Sequence, residues 1–135
     1  MRWTITGEVL ERLKAHACDA RPRECCGLLL GRSGHVIAAR PAANLATSPD
    51  RFELDPQAHV AAIRATRGSD VGVVGFYHSH PHSVPVPSQS DLAESTYPEA
   101  LHVIIGYPTA SEADVRAYLL RDGGYVEVEL VRIEG

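Results

Sequence analysis

The chain has 135 residues, 44% hydrophobic and 22% charged, and a formal net charge of −4. This is the balance of a folded globular protein, and the length suits a single domain over residues 1–135 with its own core. Scattered arginines in an acidic chain argue against a nucleic-acid partner. No apolar run approaches the ~20 residues of a membrane span, and residues 1–20 have no apolar export core, so the expected compartment is the cytoplasm.

In chain order, residues 6–20 read as a helix with Thr6 as N-cap, Glu8 in its first turn, and Val9, Leu10, Leu13 and Ala17 on one apolar stripe. Pro22 ends it. Gly27–Gly31 is a short buried strand, and Ser33-Gly34 turns it into a second strand at His35–Ala39. Residues 41–54 have loop composition, with room for a short strand near Phe52. A second helix starts from Asp55 and Pro56, with Val60 and Ile63 expected on its apolar face and Gly68 at its end.

Val71–Tyr77 is apolar enough for a central strand. After the prolines of 81–87, a short helix is expected over Ser88–Ser95, then a strand at Leu101–Ile105. A closing hairpin, Val115–Leu120 and Tyr125–Ile133, bends around Asp122-Gly123-Gly124. The predicted class is α/β (α+β): a mixed β-sheet with helices packed on it. Three cysteines, Cys18, Cys25 and Cys26, fit neither a disulfide framework nor a Cys-x-x-Cys metal site, and packed, reduced thiols are expected.

The chemistry concentrates at His78-Ser79-His80-Pro81 and the loop to Ser88 and Asp91. Strand residues two apart share a face, so His78 and His80 can converge on one point. Two imidazoles and a carboxylate make a known catalytic zinc set, and Asp91 supplies the carboxylate if the stiff proline loop folds back. Ser88-x-x-Asp91 also reads as a capping box, which would fix the carboxylate at a helix start.

These residues resemble the JAMM, or MPN-plus, metalloprotease motif: His-[Ser/Thr]-His-Pro, six residues, then Ser-x-x-Asp. Glu24-Cys25-Cys26-Gly27-Leu28-Leu29-Leu30-Gly31 is similar to the family's upstream glutamate element. Asn44, Ser48-Pro49 and Phe52–Asp55 look like the connecting segment of its small prokaryotic members.

The resemblance implies an MPN fold, itself similar to the cytidine-deaminase-like architecture, and one Zn2+ per chain on His78, His80 and Asp91. It makes Glu24 the general base and Ser88 the oxyanion partner. Water rather than a side chain is then the nucleophile. Phe52, Ser79 and His82 are candidate substrate contacts.

The implied reaction is hydrolysis of an amide bond at the C-terminal tail of a ubiquitin-like or sulfur-carrier protein, the tail lying along a strand edge. The segment 41–54 and the loop after His80 are the candidate walls. Two other readings stand beside it, a non-catalytic MPN-type interaction scaffold and a zinc hydrolase of a small amide. The sequence leaves open whether the chain acts alone or as a homodimer.

Overall fold

The computed structural model describes residues 1–88, 91 and 99–135. Among these residues, seven strands and two helices follow in the order β1 (Arg2–Thr6), α1 (Gly7–Ala20), β2 (Cys26–Arg32), β3 (His35–Ala42), α2 (Pro56–Thr66), β4 (Gly72–His80), β5 (Leu101–Thr109), β6 (Glu112–Arg121) and β7 (Gly124–Ile133). The expected helix over 88–95 lies outside the described residues, Ser88 and Asp91 excepted.

The spatial order is β1-β3-β2-β4-β5-β6-β7, and β7 pairs back onto β1, so the sheet closes into a barrel. β1 runs parallel to both β3 and β7, and β4 runs parallel to β5. The remaining pairs are antiparallel. The mixed sheet and both helices match the sequence expectation; the closure does not. It depends on β1, in which buried Trp3 and Ile5 alternate with Arg2 and Thr4. Five residues running straight into a helix cap give too few alternations to mark a strand.

β2 and β4 lie side by side at the centre, as the apolar run of β4 predicted. β2 is covered on both faces. Leu29 belongs to the cluster that includes Leu13 and Ala17 of α1, whereas Leu28 and Leu30 meet Ala62 of α2. Period-two alternation divides one apolar run between two cores.

α1 begins as expected, with the Thr6 hydroxyl accepting from Val9 N at 3.2 Å. α2 likewise starts at Asp55, whose carboxylate accepts from Gln57 N at 2.9 Å. Its buried face is another matter. Val60 and Ile63 are 42% and 45% exposed, and Ala58 and Ala62 pack against the sheet instead. The helix carries apolar residues all round, so periodicity cannot select a side, and the alanine side admits the closer approach. No helix among the described residues is long and apolar enough to cross a membrane.

The hairpin between β6 and β7 turns on Asp122 and Gly123, both at positive φ (50° and 78°), with Arg121 paired to Gly124. This is the two-residue turn whose twist matches antiparallel strands.

Candidate metal centre

The central strand pair builds the site. β2 and β4 are antiparallel with Cys26 opposite His78, and continuing that register sets Glu24 opposite His80. Two bonds lock the junction: Ser79 N donates to Cys25 O at 3.1 Å, and Cys25 N donates to Ser79 Oγ at 2.8 Å. Ser79 is fully buried and its hydroxyl is committed to this lock.

The loop after His80 is laid back across β5. Tyr107 N donates to Ser83 O at 2.7 Å, and the buried Tyr118 hydroxyl donates to Pro85 O at 2.7 Å. The crossing is possible because residue 106 is glycine; a Cβ there would run into Pro85 N and Cδ. The loop returns Ser88 and Asp91 to the histidines. Asp91 N donates to Ser88 Oγ at 3.0 Å and Ser88 N to Asp91 Oδ2 at 2.9 Å, the reciprocal pattern of a capping box.

His78, His80 and Asp91 are all buried, and their ligand atoms converge. His78 Nε2 lies 3.3 Å from His80 Nε2, and each lies 3.1 Å from Asp91 Oδ2. Ligands on a tetrahedral ion with bonds of ~2.0–2.1 Å stand about 3.3 Å apart, so this spacing suits a divalent ion such as zinc. His80 Nδ1 lies 3.1 Å from Val84 O. Its proton therefore belongs on Nδ1, which leaves the Nε2 lone pair facing the cluster.

The electrostatics treat the two imidazoles differently. Burial pushes the His78 pKa down, favouring the neutral imidazole. Burial also opposes charge on His80, but Asp91, the Val84 carbonyl and Glu24 outweigh it and raise its pKa. For Asp91 burial favours protonation, yet bonds from His78, His80 and Ser88 N hold it well below the usual carboxylate range. The pocket is built around positive charge.

Glu24 completes the site. It is 8% exposed, and its buried Oε1 has no hydrogen-bond partner among the described residues. Burial raises its pKa to about 7, with His80 opposing and Asp91 and Asp50 reinforcing. Glu24, His80 and Ser88 line one cleft of about 220 Å³. A buried acid with an oxygen unpartnered among the described residues, beside two imidazoles and a carboxylate, fits a bound metal and its water.

The candidate substrate contacts fall in three different places. Phe52 stacks on His78, with ring centroids 4.3 Å apart and planes at 18°. His82 is exposed on the cleft wall, and Ser79 faces the β2–β4 junction. Cys25 and Cys26 are buried, and burial pushes their thiols up to about 11 and about 12. They pack rather than compete for an ion.

Asn44 has more to do than its loop composition suggested. Its Nδ2 donates to Glu24 O and Arg51 O, both at 3.0 Å, and its Oδ1 accepts from Ala46 N and Glu53 N, both at 2.9 Å. Every hydrogen-bonding capacity of one amide is used: three bonds close the Phe52 loop on itself, and the fourth ties it to Glu24, just ahead of β2. The sequence marked Asn44 only as part of a segment similar to the family's connecting loop, without assigning it a role.

Residues 6–121 match the family model described as prokaryotic homologues of the JAB domain. The chain is 38% identical over 110 residues to a desampylase of Haloferax volcanii, covering 76% of this chain and 79% of that protein. It is 30% identical over 125 residues to a CysO-cysteine peptidase of Mycobacterium tuberculosis, covering 91% of this chain and 86% of that one. Among solved structures, it superposes on a JAB1/MPN domain protein of Archaeoglobus fulgidus with a TM-score of 0.60 at 26% identity, over 97% of this chain and 99% of that one. With this fold and this cluster, the chain belongs to the prokaryotic JAB-domain homologues, a hydrolytic branch of the JAMM/MPN metalloprotease family.

Proposed function

We propose that the chain is a zinc-dependent peptidase that hydrolyses the amide bond at the C-terminal tail of a ubiquitin-like or sulfur-carrier protein. The observation that carries this reading is the orphaned carboxylate oxygen of Glu24 beside the His78, His80 and Asp91 cluster. Relatives named as a desampylase and a CysO-cysteine peptidase support the substrate class.

In this reading His78, His80 and Asp91 hold the ion, which when bound supplies Lewis acidity and a water activated near neutral pH. Glu24 takes a proton from the attacking water and delivers it to the leaving nitrogen. Burial makes this carboxylate a stronger base than an exposed one, which suits the first transfer. Ser88 Oγ accepts from Asp91 N with a lone pair, so its own proton remains available to the developing oxyanion. Phe52 braces His78, and His82 borders the path of the substrate.

A closed barrel offers few edges to an extended tail, but one is suitably placed. β3 pairs with β1 only through His35 and Val36. Beyond them its outer edge has no strand partner among the described residues as far as Ala42, past which Asn44 bridges Leu54 and donates to Glu24 O. A tail added along that edge would point its last residues at the cluster.

The test is a sulfur-carrier protein with one extra C-terminal residue, incubated with zinc-loaded chain and weighed by mass spectrometry. Loss of that residue by the native chain, and its retention by Glu24→Gln, is expected. An uncleaved carrier with zinc bound would overturn the proposal and favour an interaction scaffold.

A further inference from the structure

A second cleft adjoins the first. It is about 450 Å³ in volume and shares Pro22, Pro81 and His82 with the Glu24 cleft, so these three residues form the ridge between the two. No aspartate or glutamate is among its described lining residues, although Glu24 and Asp50 line the neighbouring cleft. Its one permanent charge is Arg21.

That guanidinium is held in place. It lies over the Tyr107 ring at 4.2 Å from the centroid, Nη1 donates to Ala110 O at 2.8 Å, and Nη2 contacts Cys18 Sγ at 3.5 Å. Stacking and two anchors fix the plane of the fork, while the remaining three N–H groups have no partner among the described residues. A planar, pre-oriented guanidinium in the lining of a cleft can receive a carboxylate.

Catalysis gives the cleft a direction. The amide C–N bond breaks, the water oxygen bonds to the carbonyl carbon, and the water proton passes through Glu24 to the leaving nitrogen. The leaving group must therefore lie within hydrogen-bond reach of Glu24. Pro22, two positions earlier, is the start of the second cleft, with Arg21 beside it.

Building on the peptidase reading above, we propose that this second cleft receives the leaving group, and that Arg21 binds its free α-carboxylate. The chain would then favour removal of a single C-terminal amino acid over cleavage of an isopeptide bond, whose lysine leaving group presents no carboxylate there.

Two tail peptides ending in Gly-Gly-Ala, one with a free C-terminal acid and one amidated, are the probes. The zinc-loaded native chain should cleave the acid with kcat/KM at least tenfold above the amide, mostly through KM. Free alanine should inhibit, and alaninamide should not. In Arg21→Gln the acid-to-amide ratio should fall to within about twofold, and Arg21→Lys should be intermediate, because it keeps the charge and loses the fork. Equal cleavage of both peptides by the native chain would overturn the role of Arg21 and leave the peptidase reading intact. An undiminished ratio in Arg21→Gln would do the same. Failure to cleave either peptide would overturn both.

Discussion

The phenyl ring of Phe52 lies nearly flat on the imidazole of His78, 4.3 Å between centroids and 18° from parallel. A residue from an irregular loop thus sets the ring plane of a residue at the end of the central strand. Contacts that orient a ligand are worth roughly 10–100-fold in metal affinity. Phe52→Ala is expected to weaken zinc binding by about tenfold, read by competition with a chelating dye, while the fold survives.

Removing a ligand should cost far more than removing its brace. Asp91→Ala leaves two imidazoles and a buried cavity without its carboxylate. Elemental analysis should find about one zinc per native chain and little in the variant. Metal that binds only the folded state stabilises it by about 3 kcal/mol at a hundredfold excess over Kd. Chelation should accordingly lower the Tm of the native chain and leave that of Asp91→Ala unchanged.

Glu24→Gln should retain zinc and lose roughly 10²–10⁴-fold in kcat, the usual contribution of a general base. The same substitution has a signature in stability. Burial raises the Glu24 pKa to about 7 from an ordinary 4.5, so the folded chain holds a proton that the unfolded chain has released between those values. Stability of the metal-free native chain therefore falls as pH rises from about 4.5 to about 7 and stays low above that. The glutamine variant escapes the loss. Urea unfolding at pH 8 should show it more stable than the native chain by about 1–2 kcal/mol, after discounting for water in the cleft. At pH 4 the two should coincide.

Asn44→Ala removes four hydrogen bonds, three that hold the 44–53 loop together and one that joins it to Glu24 O. Net values of ~0.5–1.5 kcal/mol per bond, reduced by partial solvation, suggest a loss of about 2 kcal/mol in unfolding free energy. The larger effect should be on turnover, since both the base and the Phe52 brace lose their common anchor. A variant with native kcat would show that the loop keeps its place without the amide.

Gly106→Ala tests the crossing of the proline loop. The added methyl meets the backbone of Pro85, which cannot rotate away. Overpacking of this kind costs ~1–3 kcal/mol, and here the displaced loop is the one that delivers Ser88 and Asp91. Zinc affinity and stability should fall together, as measured by chelator competition and thermal unfolding.

Much of this site could be read from the sequence because its determinants are local. Two histidines separated by one strand residue and a serine three residues before an aspartate fix their geometry within one turn or one pleat. Thr6 and Asp55 announced their helices in the same way, through a side chain and a nearby N–H. The roles of Asn44 and Phe52 depend on partners distant along the chain, as does the alanine face of α2. Composition describes such residues without locating them. Closure of the sheet by β1 was hidden for the same reason: its two neighbours, β3 and β7, enter the chain later.

That late partner has a kinetic consequence. Arg2 pairs with Glu129 and Thr6 with Ile133, so the barrel seam joins the beginning of the chain to its last strand, whereas the β2–β3, β5–β6 and β6–β7 pairs are local hairpins. Non-local pairing of this kind is slow, because the whole intervening loop must be closed before any contact is gained. On a ribosome β1 can pair with β3 early but must wait for β7, and during that interval its other edge lies unpaired, open to a neighbouring nascent chain.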